Sequence, residues 1–312
     1  MKSKIWAALI VVYIVWGSTY LAIRFAVESM PPFLMAGVRF LTAGVILFGW
    51  RRLAGDKRPL KIEWRSAAII GGLLLVGGNG NVVWAELHVA SGIAALIVGS
   101  APLWMVAIDA VRPGGKKANF QTWAGVLIGF IGILVLINPL EMLHNPQQVN
   151  TVGIFSLLFG AFLWALGSLY SRNAALPESP LLGTGMEMLA GGVGFVILGT
   201  ITNEWAQVNL SAVTARSIWG LLYLIIFGSL VGYSAYTWLL RNAPTPLVST
   251  YAYVNPMVAI LLGALFAGEA LTLRILIAAL IVISSVALIN TARVEKPKPV
   301  ERVIPTPMTG DD

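Results

Sequence analysis

The chain has 312 residues, of which 57% are hydrophobic and 11% charged, with a mean hydropathy of +0.81. Soluble domains carry roughly a quarter charged residues, so this composition excludes a soluble globular protein. The net charge of +7 does not indicate nucleic acid, because the cations fall in alternate loops between apolar runs instead of on one folded surface; that placement implies a lipid bilayer.

Runs of about 20 apolar residues predict ten transmembrane helices at 5–26, 33–50, 66–85, 90–111, 120–138, 151–171, 183–202, 217–240, 246–267 and 272–292. The first follows Lys2 and Lys4 as a signal peptide would. Its apolar core is too long for one, contains Trp6, Tyr13 and Trp16, and is followed by no small-residue cleavage site. With the N-terminus inside, 17 of the 21 lysines and arginines lie in cytoplasmic segments, so both termini are expected in the cytoplasm of a multi-pass inner-membrane protein. Residues 293–312 are charged and punctuated by Pro297, Pro299, Pro305 and Pro307, which predicts a disordered cytoplasmic tail.

The second half repeats the first. Gly17-Ser18-Thr19-Tyr20 falls on Gly167-Ser168-Leu169-Tyr170, and Gly37 and Gly44 fall on Gly185 and Gly192. Trp84 falls on Trp238 and Pro102 on Pro256, both shifted by 154, and Leu136-Ile137-Asn138 falls on Leu288-Ile289-Asn290. Near-constant shifts across all five segment pairs predict an internal duplication, with residues 1–140 as the first five-helix repeat and 141–292 as the second. Five spans is an odd number, so the second copy enters the membrane from the opposite side. The expected fold is an all-α membrane protein with ten transmembrane helices in two inverted repeats. Such repeats are typical of transporters with a midplane substrate site. The polar stretch 141–150 joins the copies.

Trp16-Gly17-Ser18-Thr19-Tyr20, Ala36-Gly37-Val38-Arg39-Phe40, Asn255-Pro256 and Gly268-Glu269, in this order within a duplicated ten-span layout, resemble the EamA family of the drug/metabolite transporter superfamily over about residues 5–292. The resemblance implies two inverted five-helix bundles, a central cavity and export of metabolites such as amino acids. Small multidrug transporters of the same superfamily carry a proton-exchanging glutamate inside the first helix. Neither 5–26 nor 151–171 has an acidic residue in its interior, which argues against cation exchange by that device.

Polar and aromatic residues inside apolar spans must face protein or water. On this ground Trp16, Tyr20, Asn79, Trp84, Trp164, Tyr233, Tyr251 and Asn255 are the expected cavity residues; packing between helices is the competing role for the amides. Trp6, Trp50, Trp64, Trp123, Trp205 and Trp219 sit near span ends as an interfacial belt. Pro102 and Pro256 each remove a mid-helix hydrogen bond and are expected as paired hinges, a static kink being the alternative. Arg39 and Glu187 occupy equivalent positions of inverted copies, so they belong near opposite faces, each snorkelling or paired locally. Glu86 and Glu269 are expected at outer helix ends in structural roles.

With no lysine in any span and Arg39 the sole arginine well inside one, phosphorylated cargo is disfavoured. The expected partner is a small neutral or zwitterionic molecule, moved by its own gradient or by a proton gradient. Efflux of cationic drugs or dyes, or a non-transporting scaffold, are the alternatives. No cofactor or metal is expected: there is no cysteine, His88 and His144 lie apart at helix ends, and there is no P-loop, HExxH or G-x-S-x-G motif to indicate an enzyme.

Overall fold

A computed structural model of the chain describes residues 2–111, 119–138 and 150–292. His144, the loop cations Arg112, Lys116 and Lys117, the junction up to residue 149 and the tail 293–312 lie outside the described residues. Every regular element among the described residues is helical. Eight helices are long and apolar enough to cross a membrane. They are α1 (Lys2–Val27), α2 (Pro32–Leu53), α3 (Lys61–Ala85), α4 (Ser91–Val111), α5 (Phe120–Ile137), α6 (Thr151–Ser171), α7 (Pro180–Ile201) and α8 (Ala215–Asn242). Two shorter apolar stretches, Val254–Phe266 and Leu273–Ile289, lie in α9 (Tyr251–Phe266) and α10 (Leu273–Ala292).

Several helices are irregular. The run expected at 246–267 is not one helix: a turn of helix at Thr245–Val248 precedes α9. Between them the Thr250 hydroxyl donates to Leu247 O at 2.6 Å, a local bond of the kind by which Ser and Thr compete with the helix ladder. Helix α4 is interrupted at Gly99-Ser100, where Ser100 Oγ donates to Ile97 O at 2.6 Å. Pro102 therefore sits at the second residue of the segment Ala101–Val111, where its missing N–H is an orphan in any case, and not in mid-helix as the sequence suggests. Pro256 does lie inside α9. Helices α3 and α8 each contain a π-helical stretch, Gly71–Asn79 and Leu224–Tyr233.

Helices α2 and α7 pack together through glycine. A Cβ on Gly44 would stand 2.9 Å from Leu189 N, one on Gly192 2.8 Å from Leu41 N, and one on Gly185 2.8 Å from Phe48 N. Small residues permit this backbone contact, which is how helices associate in lipid without a hydrophobic drive. Helix α5 packs on α10, α1 on α8 and α9, and α6 on α3 and α4. Helices α1 and α8 run antiparallel: Ser217 Oγ donates to Phe25 O (2.7 Å), Ser18 Oγ meets Tyr223 Oη (2.6 Å), and Trp16 Nε1 donates to Gly228 O (3.3 Å).

Acidic side chains cap helices across the molecule. Glu204 accepts from the backbone N–H groups of Phe33 (3.1 Å) and Leu34 (2.8 Å) at the start of α2. Glu269 accepts from Ser91 (2.7 Å) and Gly92 (3.1 Å) at the start of α4. Asp56, just beyond α2, takes a forked bond from Arg51 at 2.6 and 2.8 Å. Arg51 first, and then the hydroxyl of Ser179, the N-cap residue of α7, hold its carboxyl below its ordinary value of 3.8. A carboxyl lowered in the folded state stabilises above that ordinary value and loses its contribution as pH falls through the folded one. This clasp therefore persists at neutral pH and loosens only in strong acid. Glu204→Ala, which leaves two N–H groups of α2 without their acceptor, should cost about 1–2 kcal/mol; a lowered midpoint of thermal unfolding in detergent, against wild type, checks it.

Candidate functional site

In the middle of the bundle α1, α2, α3, α4, α6, α8 and α9 enclose a chamber of about 60 Å³. Seven of the eight residues expected at a cavity line it: Trp16, Tyr20, Asn79, Trp164, Tyr233, Tyr251 and Asn255. Trp84 does not. It packs edge-on to His88, ring centroids 5.0 Å apart, at the far end of α3. The reason is angular: Leu75, Gly78, Asn79 and Val82 share the chamber face of α3, and five residues beyond Asn79 the helix has turned that position well away from it. Pro102 is buried outside the chamber lining, and Pro256 faces Gly99, where a Cβ would lie 3.4 Å from its ring.

The aromatic wall is continuous. Trp16 stands edge-on to Trp164 (5.4 Å) and to Tyr251 (5.8 Å), and Tyr236 packs behind all three at 4.8–5.8 Å. Edge-to-face rings of this spacing are mutually attractive beyond the area they bury. Fully buried Tyr236 fixes the wall by hydrogen bonds: its hydroxyl accepts from Trp164 Nε1 (3.1 Å) and bonds Ser168 Oγ (2.8 Å). Gly232 leaves room for Trp16, whose Nε1 would be 2.7 Å from a Cβ there. With its amide nitrogen turned towards α1, Asn255 donates to the carbonyls of Tyr13 (3.1 Å) and Tyr251 (3.2 Å). It therefore ties α9 to α1 while also lining the chamber.

Among the polar residues of the lining, sequence reasoning did not place Thr19 or Arg39 at the chamber. Arg39, expected to snorkel near the outer face, lines the chamber from α2. Its Nε donates to Ser229 Oγ at 2.9 Å, and its guanidinium carbon lies 4.5 Å from the ring centre of Phe40. The available signal was its isolation, as the one arginine deep in a span.

A second cavity, about 200 Å³, lies towards the N-terminal end of α1 and is lined by Glu187, Arg172, Arg241 and Thr237 among others. Glu187, only 2% exposed, accepts a hydrogen bond from Tyr233 Oη at 2.8 Å. Tyr233 lines the central chamber, so this bond spans the partition between the two cavities. Arg39 and Glu187 line different cavities, but they bond residues only four apart on α8, Ser229 and Tyr233, so Arg39 is not near the outer face as expected. Glu86 and Glu269 sit together at the start of α4, where Glu86 accepts from Ser91 Oγ at 2.9 Å. Among the described residues no three His, Asp or Glu side chains gather as a metal site would require.

The EamA-like transporter family model matches this chain twice, over residues 3–138 and 151–291. The chain is 42% identical over 272 residues to "Uncharacterized inner membrane transporter YedA" of Escherichia coli K12, covering 86% of this chain and 84% of that one. It is 26% identical over 275 residues to a "Probable amino-acid metabolite efflux pump" of Salmonella typhimurium LT2, covering 84% and 87%. A solved crystal structure 19% identical superposes with a TM-score of 0.63 over 95% of this chain and 100% of that one, a likeness of fold.

Tyr236→Phe removes the buried hydroxyl that accepts from Trp164 Nε1 and, because Ser168 already donates to Trp164 O, donates to Ser168 Oγ. It should destabilise by about 1–2 kcal/mol, seen as a lower unfolding midpoint in detergent, and leave the helix content by circular dichroism unchanged.

Proposed function

Because the chain belongs to the EamA-like transporter family, we propose that it is a secondary transporter of the inner membrane that exports small neutral or zwitterionic metabolites, amino acids among them, by alternating access. The observation that carries this reading is the chamber, walled by aromatic rings and a few polar groups and contributed by helices from both matched halves. A bilayer-spanning scaffold has no need of a polar-lined space at that depth, where each polar atom carries a desolvation cost.

The two halves are, in this reading, inverted copies. Several observations support it. The family model matches each half. The π-helical stretches fall in α3 and α8, and equivalent glycines, Gly44 with Gly192 and Gly37 with Gly185, all lie on the α2–α7 seam, each facing a residue of the other helix. Glu204 follows α7 and caps α2, while Asp56 follows α2 and meets the N-cap of α7. An inverted pair supplies two alternative arrangements of one site, one open to each side. The cavity holding Glu187 would then be the cytoplasmic approach, and both termini cytoplasmic. Efflux of lipophilic cations fits less well, because Arg39 puts a like charge in the chamber wall.

Two outcomes are expected. Single cysteines introduced at Leu60 and Gly115, in a chain with no native cysteine, should label from the same, cytoplasmic, side; opposite sides would sink the inverted arrangement. Purified protein in liposomes should move at least one member of a panel of labelled amino acids faster than empty liposomes do. No flux of any neutral or zwitterionic solute would count against the export reading.

A further inference from the structure

Glu86 follows directly on the span of α3 and is fully buried. Its Oε2 accepts from Ser91 Oγ at 2.9 Å, whereas Oε1 is buried and receives no donor. Arg24 does not answer the carboxyl, since its Nη1 donates to the backbone carbonyl of Glu86. On the other side of Ser91 stands a second acid. Glu269 accepts from Ser91 N at 2.7 Å and from Gly92 N at 3.1 Å, so Ser91 is bonded to both carboxyl groups. A buried carboxylate without a cation is among the costlier groups in a protein, and a second one beside it adds repulsion. Two acids placed in this way titrate as a pair, with one proton held between them.

We propose that Glu86 and Glu269 share one proton across Ser91, carried on Glu86 Oε1, and that this proton latches the start of α4 to the α9–α10 linker. The topology proposed above puts the latch on the outer side. The seat of the proton follows from donor and acceptor inventory. Both oxygens of Glu269 are taken by backbone N–H groups, and Oε1 of Glu86 is the oxygen left over. The surroundings offer no other neutralisation. From α1, Tyr20 and Arg24 face Glu86. Helix α6 has no charged residue, and those of α2 are Arg39, bonded to Ser229, and Arg51 and Arg52 at the far end. His88, next along the chain, packs on Trp84. Burial first pushes the Glu86 carboxyl well above its ordinary value of 4.5; Glu269 adds to the push, and the Ser91 hydroxyl and Arg24 oppose it. Once the proton leaves, two negative charges bear on one serine, and separating Glu86 from Glu269 relieves both the repulsion and the missing hydration.

The test uses the full chain in detergent and needs no cargo, so the transport reading stands or falls separately. The folded protein holds a proton on Glu86 that the unfolded chain has released, so stability falls as pH rises from the ordinary value of 4.5 to the raised one. Glu86→Gln keeps the neutral shape. It should unfold with wild type at about pH 5 and about 2–4 °C or more above it at about pH 8. The same difference at both pH values overturns the shared proton. The latch is read from a cysteine at Val89, a buried position between Glu86 and Ser91 in a chain with no native cysteine. Its maleimide labelling rate is divided by that of a cysteine at exposed Leu210, which removes the pH dependence of the thiol itself. The ratio should rise about threefold or more between about pH 6 and about pH 9, and stay flat once Glu86→Gln is added. A flat ratio with Glu86 in place overturns the latch. Should Glu86→Gln fail to fold, that last measurement decides alone.

Discussion

Hydrocarbon offers no hydrogen bonds, and the departures from regular helix in this chain answer to that constraint. The π-helical stretches of α3 and α8, the break in α4 and the stop before α9 would each be expensive against lipid. At α8 and before α9 other helices supply partners, Tyr13 of α1 meeting Thr250, while in α4 Ser100 bonds back to Ile97 O of its own helix. The π-helical part of α8 gives its Gly228 carbonyl to Trp16, its Ser229 hydroxyl to Arg39 and its Tyr233 hydroxyl to Glu187. Irregular backbone is thus concentrated around the chamber, and the chamber is where the polar side chains of the membrane interior collect.

The same constraint explains the seams. Where two helices meet without polar groups, lipid competes with either partner on equal terms, and close approach of backbones decides. Gly44, Gly185 and Gly192 bring α2 and α7 together in that way, and Gly125 and Gly132 do the same for α5 against α10, meeting Ile289 and Ile281. These tight pairs frame the bundle. Most of the aromatic and polar lining comes from the helices between them, α1, α3, α6, α8 and α9, with Arg39 and Phe40 added from α2.

The spans and the chamber aromatics were largely legible in sequence, because a residue that lipid would reject must point inward whatever the fold. Trp16, Trp164 and Tyr251 needed no more than that argument. Depth and rotation were less legible. Trp84 satisfies the same rule at the wrong angle, five residues beyond Asn79 on a helix whose pitch changes on the way. Arg39 lies near enough to its helix end for snorkelling to look sufficient, and periodicity says nothing about how far up a cavity extends. The break before α9 depends on a threonine folding back on Leu247, and an apolar run hides it.

The carboxylates that cap α2 and α4 come from far along the chain. Glu204 lies 171 residues after Phe33, and Glu269 lies 178 residues after Ser91. At ordinary rates of synthesis that separation is roughly ten to thirty seconds. For this interval the ribosome has delivered both early helices while the groups that complete their ends are still untranslated. Those four amides must meanwhile be held by water at the membrane surface, so the first half waits at the interface until the second half arrives to close it.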